Sequence, residues 1–440
     1  MTAPAALARL SAARRGVSML FIANALVFAT IVTRYPELKD RFDLGELTFG
    51  LMVACGPVGS VIGSLFAGRL VNRLGAVPVA VTSSVLLGAL LAVAGFAGTP
   101  VVLGVVLFAI GFGDATGDVG NNAHGLAIQR QMGRSIINGL HGAWSAGAIA
   151  GALLGALALQ LAIPIHVHLP VMGVIIMVGS LGALPLVRTH AAPPSPPAQQ
   201  SHPHRHRRIS AILVAACAVA AIGAFLEDLG STWGGVYVVA ETGAGVAEAA
   251  IPFAALMGAL TLGRFASDAL VDRIGAVGTV RVGSMAAFVG LVAAVFAPHT
   301  WVVAVALGLL GLGIAPMIPL AMDAAERAPG LDPGTGLAAA ATVMRLGLLA
   351  SPLLVGAIAE WAGLRIAIAV CLLVPAVALM LAGRLRSPEP LAAPPRGRPR
   401  PVTTRAQQHP RAAEAGGLAG GRLAFGNDEP DSDRGRVHRR

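Results

Sequence analysis

The chain has 440 residues, 55% of them hydrophobic and only 12% charged, with a mean hydropathy of +0.73. A water-soluble domain carries about 25% charged residues, so this composition excludes an ordinary soluble protein and implies one immersed in lipid. The net charge of +10 does not point to nucleic acid: the stretch Arg384 to Arg440 holds twelve arginines against six acids and supplies +6 of it, with no nucleic-acid-reading motif beside it.

A bilayer core about 30 Å thick takes about 20 helical residues. On that ruler the apolar runs give twelve spans, near 17–33, 49–68, 77–96, 99–122, 137–160, 165–187, 209–239, 248–267, 277–297, 300–322, 335–359 and 363–383. The runs at 99–131 and 209–239 are long enough to be single tilted helices that extend past the membrane. Residues 1–16 carry Arg9, Arg14 and Arg15 ahead of the first apolar run. Eleven further spans follow, so this start is an uncleaved first helix with its leading segment rather than a cleaved signal. Cys55, Cys217 and Cys371 lie far apart inside apolar runs with no CxxC pair, which argues for packing rather than metal or redox chemistry.

Between the sixth and seventh runs, residues 188–208 are polar, basic and rich in proline, and are expected to be a flexible linker between halves 17–187 and 209–383. His202, His204 and His206 alternate there, but Arg205, Arg207 and Arg208 among them oppose metal binding by charge. Residues 384–440 are expected to be a disordered basic tail suited to anionic lipid. Arg69, Arg73, Arg130, Arg134, Arg188, Arg264, Arg273, Arg281, Arg327 and Arg384 fall on the side of the N-terminus and the linker; Arg34, Lys39, Arg41 and Arg365 fall on the other. The positive-inside rule then predicts both termini in the cytoplasm of a bacterial plasma (inner) membrane.

The halves repeat internally. Residues 63–76 (GSLFAGRLVNRLGA) and 263–276 (GRFASDALVDRIGA) agree at six of fourteen positions at a spacing of 200, each after the second span of its half. Paired halves with a substrate site between them are the repeat logic of secondary transporters.

These loops resemble the signature of the major facilitator superfamily, roughly G-x-x-x-D-R-x-G, through Gly68, Arg73 and Gly75 in the first half and Asp272, Arg273 and Gly275 in the second. Asn72 replaces the motif's aspartate, and Asp268 stands where the first copy has Gly68. The resemblance implies an all-α membrane protein of twelve transmembrane helices in two pseudo-symmetric six-helix bundles. It also implies a conformational latch at Arg73, Gly75, Asp272, Arg273 and Gly275. A narrower resemblance, to the fucose-permease-like branch, rests on Gly111 to Asn122, Ile137 to Gly147 and Ser351 to Gly363, with Asp118 and Asn122 matching the branch's acid and asparagine on the fourth helix. The carboxylate some members carry on the first helix is missing, because the stretch around Ala29 is apolar.

Ionisable groups inside spans cost at least roughly 2.5–3.5 kcal/mol at mid-membrane, which makes each a functional candidate. Asp114, Asp118, Asn121 and Asn122 share one face of the fourth span by their spacing. Two carboxylates one turn apart repel, so one is expected to hold a proton near neutrality, and Asp118 and Asp114 are the proton-coupling candidates. Asp118 lies about 28 Å along the helix from Thr99, near the inner edge. Glu227 and Asp228 interrupt the seventh span, followed by glycines, Trp233 and Tyr237; apolar rings flanked by hydroxyls and carboxylates suit a sugar-like or other small polar solute. Arg345 stands about 15 Å into the eleventh span, where it needs a carboxylate (Asp118, Glu227 or Asp323) or an anionic solute. Asn122, Glu227, Asp228, Trp233, Tyr237 and Arg345 are therefore the substrate-binding candidates. His141, near Asn138 and Trp144, is either a packed hydrogen-bonder or a proton relay.

The sequence thus predicts a monomeric secondary carrier that moves a small solute by alternating access, coupled to protons and needing no cofactor or metal. No GxxxxGK[ST] loop supports ATP-driven pumping, and neither a GxSxG elbow nor an HExxH pair supports an enzyme. An efflux antiporter for drugs or metabolites, and a non-transporting membrane sensor, are the alternatives.

Overall fold

A computed structural model describes residues 3–133, 136–189, 210–329, 331 and 335–385; most of the expected linker and nearly all of the expected tail lie outside the described residues. Twelve helices are long and apolar enough to cross a membrane. They are α1 (Leu7–Val32), α2 (Glu46–Leu74), α3 (Ala76–Gly95), α4 (Pro100–Met132), α5 (Gly139–Gln160) and α6 (Ile165–Arg188), then α7 (Ala211–Thr242), α8 (250–274), α9 (276–295), α10 (Thr300–Glu326), α11 (Thr335–Ala362) and α12 (Leu364–Leu385).

Local chemistry sets the ends of these helices. Thr99 caps α4 by accepting from the Val102 amide at 3.3 Å, Pro100 opens its first turn, and Gly133 stops it with φ 63°. The resulting helix of 33 residues is about 50 Å long, well beyond the bilayer core, as the long apolar run predicts. Ser210 caps α7 by accepting from the Ile212 amide at 3.2 Å. Helical structure begins at Ala3 and runs without a break into the first span. The eighth and ninth crossings are one helical run, Ala250–Val295, broken at Gly275 where φ is 73°.

Inside the first half α1 packs on α5 and α6, α2 on α4, and α3 on α4 and α6; inside the second, α7 packs on α10 and α11, and α8 and α9 on α10. In lipid such packing depends on close backbone approach. A Cβ on Gly111 of α4 would run into the Gly56 carbonyl of α2, and one on Gly63 would meet the Phe112 backbone. The second half repeats both contacts at the same spacing of 200: Gly311 of α10 closes on the Leu256 backbone of α8, and Gly263 on Leu312. Gly75 (φ 90°) and Gly275 (φ 73°) make the same left-handed turn in each half. The internal repeat is therefore a repeat of contacts as well as letters.

The halves meet through α2 against α11 and α5 against α8. Most named contacts across this seam lie toward the face away from the N-terminus. A Cβ on Gly50 would strike the Pro352 carbonyl, the Leu47 amide donates to Glu360 at 3.0 Å, and Pro36 lies against Gly235. Tyr35, Phe49 and Trp233 form an aromatic chain with ring centroids 5.7 and 5.3 Å apart. Deeper in the seam Phe28 meets Phe253 at 5.9 Å. On the terminus side, Gly68 has open space where a side chain would go.

Substituting Gly111→Val should cost more than about 3 kcal/mol, because its neighbour is backbone that cannot move aside, whereas Gly68→Ala should fall within about 0.5 kcal/mol of the parent. Thermal unfolding with size-exclusion profiles of the two variants checks this; equal stability would contradict the packing described.

Candidate functional site

Three polar clusters lie inside the apolar bundle, each reached from a different set of helices. The first sits on α4. The Asn24 amide of α1 donates to Asp114 at 2.6 Å and accepts from the Trp144 indole of α5 at 2.8 Å. This chain fixes the orientation of Asn24, since an indole can only donate. One turn along, the Asn122 amide donates to Asp118 at 2.7 Å and to its backbone carbonyl at 3.0 Å. Asn24, Asp114, Asp118, Asn122 and Trp144 are all partly exposed, as is Arg345 on α11. The Arg345 guanidinium acts electrostatically on both Asp114 and Asp118 from the other half of the molecule. Its hydrogen bond is a 3.4 Å contact to the Ala341 carbonyl of its own helix, and no carboxylate among the described residues forms an ion pair with it. Phe28 stacks on Trp144 with centroids 6.2 Å apart and supplies an apolar wall.

The second cluster pairs Glu227 of α7 with Arg264 of α8 at 3.6 Å. Arg264 also acts on His141 of α5 across the seam, and His141 is exposed rather than packed away. The third surrounds Asp228, which accepts from the Thr232 hydroxyl at 3.2 Å and faces Ser351 of α11. Directly after Asp228 the helix widens into a π-turn, Leu229–Trp233, a local form frequent at functional positions.

The structure thus sets Asn122 on Asp118, leaves Asp114 and Asp118 within the electrostatic reach of Arg345, and gives Glu227 and Asp228 separate partners. Two candidates are placed elsewhere. Tyr237 is buried with its hydroxyl donating to the Ala294 carbonyl at 2.9 Å, and Trp233 is fully buried against Phe49. Both rings are packing groups in this conformation: a phenol held by a backbone carbonyl is not free for a solute. Asp323 forms an ion pair with Arg327 one turn along its own helix and does not serve Arg345. The signature loops stand apart from all of this. Arg73, Gly75, Asp272, Arg273 and Gly275 are exposed, and none of their side chains has an ion pair among the described residues.

Asn24 and Arg264 were not singled out from the sequence. Asn24 is an amide alone within an apolar run, which is itself a signal in lipid. Arg264 reads as an orientation charge until the helix is seen to continue to Gly275, which sets it nine residues deeper than Arg273. Arg34 was assigned to a loop, yet is 1% exposed. It pairs with Glu37 at 2.5 Å and donates to His168 Nδ1 at 3.1 Å and the Ile163 carbonyl at 2.9 Å. Near it, outside the membrane-spanning helices, burial and then the Asp228 carboxylate push the Tyr35 phenol above its ordinary value, so it stays neutral.

The sequence profile described as Major Facilitator Superfamily matches residues 17–343. An "Uncharacterized transporter y4wD" of Sinorhizobium fredii is 27% identical over 378 residues, covering 84% of this chain and 98% of the relative. An uncharacterized MFS-type transporter of Yersinia pestis is 24% identical, with 79% and 89% covered. The fold matches the crystal structure of the nucleoside transporter NupG (D323A mutant), with TM-score 0.64, 13% identity and 85% and 98% coverage. It also matches an inward-facing, unoccupied bacterial homolog to the human lysosomal transporter Spinster, with TM-score 0.65, 12% identity and 88% and 98% coverage.

With Cys55, Cys217 and Cys371 replaced, a cysteine at Asn122 should react with a membrane-impermeant thiol reagent added from the terminus side. A cysteine at Phe49, which is 0% exposed, should stay protected from the opposite side. Labelling of Phe49 and protection of Asn122 would contradict the exposure of α4 and the burial of Phe49 described above.

Proposed function

The chain belongs to the Major Facilitator Superfamily of membrane transporters and is not an enzyme, and from that premise we propose that it carries a small polar, sugar-like solute by proton-coupled alternating access. The observation that carries this reading is Arg345. Its guanidinium acts on Asp114 and Asp118 from the other half and forms an ion pair with no carboxylate among the described residues, although an unpaired charge in a membrane is costly.

In this reading Asp118 is the proton-coupling group, with Asp114 beside it. When both carboxylates are charged they draw Arg345, and with it α11, toward α4 and close the terminus side. A proton on Asp118 removes part of that attraction and lets the halves part. The solute lies between them, its ring against Trp144 and Phe28 and its hydroxyls on Asn122, Asp114 and Arg345. Glu227, held by Arg264, borders the same space from the second half. A position near the fucose-permease-like branch belongs to this reading through Asp118 and Asn122. The latch residues Arg73, Asp272 and Arg273 engage only in the state closed on the terminus side. By the positive-inside rule that side is the cytoplasm, in a bacterial plasma membrane.

The test is uptake into sealed proteoliposomes under an imposed pH gradient, with the solute found first by a thermal-shift screen over sugars, organic anions and antibiotics. Asp118→Asn should abolish gradient-driven accumulation while leaving solute exchange at equal pH. Arg345→Gln should lower both by at least about tenfold, as expected for loss of a charge-assisted contact. Accumulation at parental rates in either variant would remove the mechanism.

A further inference from the structure

Helix α2 opens on the face away from the termini without a capping side chain of its own. Gly45 holds the N-cap position, and its carbonyl accepts from the Phe49 amide at 3.0 Å, but a glycine has no oxygen to offer the free amides of the first turn. The acceptor comes instead from the other half of the molecule. Glu360, in the last turn of α11, accepts from the amide of Leu47, the second helical residue, at 3.0 Å, which is where a capping side chain ordinarily bonds. A carboxylate there also gains from the positive end of the helix dipole, and Glu46, the acid in that turn, is paired with Lys39 at 3.2 Å. Glu360 fills the space beside Gly45 as well: a Cβ on that glycine would come within 2.9 Å of Oε2 and 3.0 Å of Oε1. The backbone of Gly45, φ −61° and ψ 163°, is open to any residue, so conformation does not call for a glycine at this position. Room for Glu360 does.

We propose that Glu360 is a positioning residue of the transport cycle, which holds the face away from the termini shut by capping α2 across the seam. The inference rests on the alternating-access reading above. The bond joins the two halves and exists only while α11 lies against α2, so it favours the state closed on this face and adds nothing to the open one. A contact with that difference shifts the balance between the two states. It extends the close backbone approaches of the same helix pair, Gly50 on the Pro352 carbonyl and Gly356 on the Glu46 carbonyl. The internal repeat shows the device to be one-sided. Gly245, 200 positions after Gly45, has the same extended backbone ahead of the turn Val246–Ala249, yet nothing lies where its Cβ would go. The residue 200 positions before Glu360 is the uncharged Gln160. Of these two equivalent places on the seam, the one between α2 and α11 carries the cap.

Spin labels at Asp40 and His299, exposed residues of the two halves on that face, report its opening by pulsed electron resonance in a cysteine-free background, with neither solute nor pH gradient present. Glu360→Ala should raise the population at long separation about fivefold, as expected for loss of one N-cap. Gly45→Ser should do the same with Glu360 intact, because the serine caps α2 from within and takes the space of the carboxylate. In the double variant the Tm should return to the parent's, the helix being capped again, while the long separation persists; a merely structural cap would restore both. Gly50→Val, which forces α2 off the Pro352 carbonyl, is the reference for an open face. Parental distances in Glu360→Ala or Gly45→Ser, with Gly50→Val long, overturn the role of Glu360 and leave alternating access standing; parental distances in all three overturn both. Should Glu360→Ala fail to fold, Gly45→Ser decides, since it removes no bonding group.

Discussion

A charge placed where water is scarce must find a partner, and this constraint organises the molecule. Desolvating an ion costs several kcal/mol even after relaxation. The chain meets that cost in two ways. Arg34 is sealed inside the first half by Glu37, His168 and the Ile163 carbonyl, all near the ends of α1 and α6. Glu227 and Arg264 pair within the second half. These pairs join helices that stay together. Arg345 differs, because the carboxylates it faces, Asp114 and Asp118, belong to the other half. Internal pairing makes each half a unit; pairing across the seam makes their separation depend on charge.

Rigid halves are a condition for that dependence. The matching approaches Gly111–Gly56 and Gly311–Leu256 bring backbones into contact where no side chain can fit between them. Helices locked in this way move as a body, so attraction at one point on α11 is felt along its length. The seam offers the contrast. Its face away from the termini is closed by ring contacts between Tyr35, Phe49 and Trp233, while the polar residues of α4 on its other side remain partly exposed. The seam's own approaches of backbone to glycine, Gly50 on the Pro352 carbonyl and Gly356 on the Glu46 carbonyl, are confined to that one face, whereas those inside each half recur along the helix pairs.

Much of the fold was legible because its signals are long and redundant. Twelve apolar runs, a repeat spaced by 200 residues and an arginine bias each constrain the same architecture. The site was legible only in part. The spacing of Asp114, Asp118 and Asn122 fixed a shared face of α4, since helical periodicity decides that alone. Partners across the bundle are another matter. Nothing in the order of residues says that Asn24 meets Asp114 over 90 positions, or that Glu227 selects Arg264 rather than Arg345. Tyr237 shows the converse error. Its type and neighbourhood fit a solute site, but the Ala294 carbonyl takes its hydroxyl. Arg34 was misplaced because a charge between spans reads as a loop charge, and its burial depends on a histidine 134 residues away.

The central claim is that charge at Asp118, felt by Arg345, sets the distance between the halves on the terminus side. Spin labels on exposed positions at that face, Asn72 of α2 and Leu337 of α11, report that distance directly by pulsed electron resonance in a cysteine-free background. The account predicts that raising the pH moves the parent toward a shorter separation, and that Arg345→Gln holds the longer one at every pH. The same pH-driven shortening in Arg345→Gln as in the parent would contradict it.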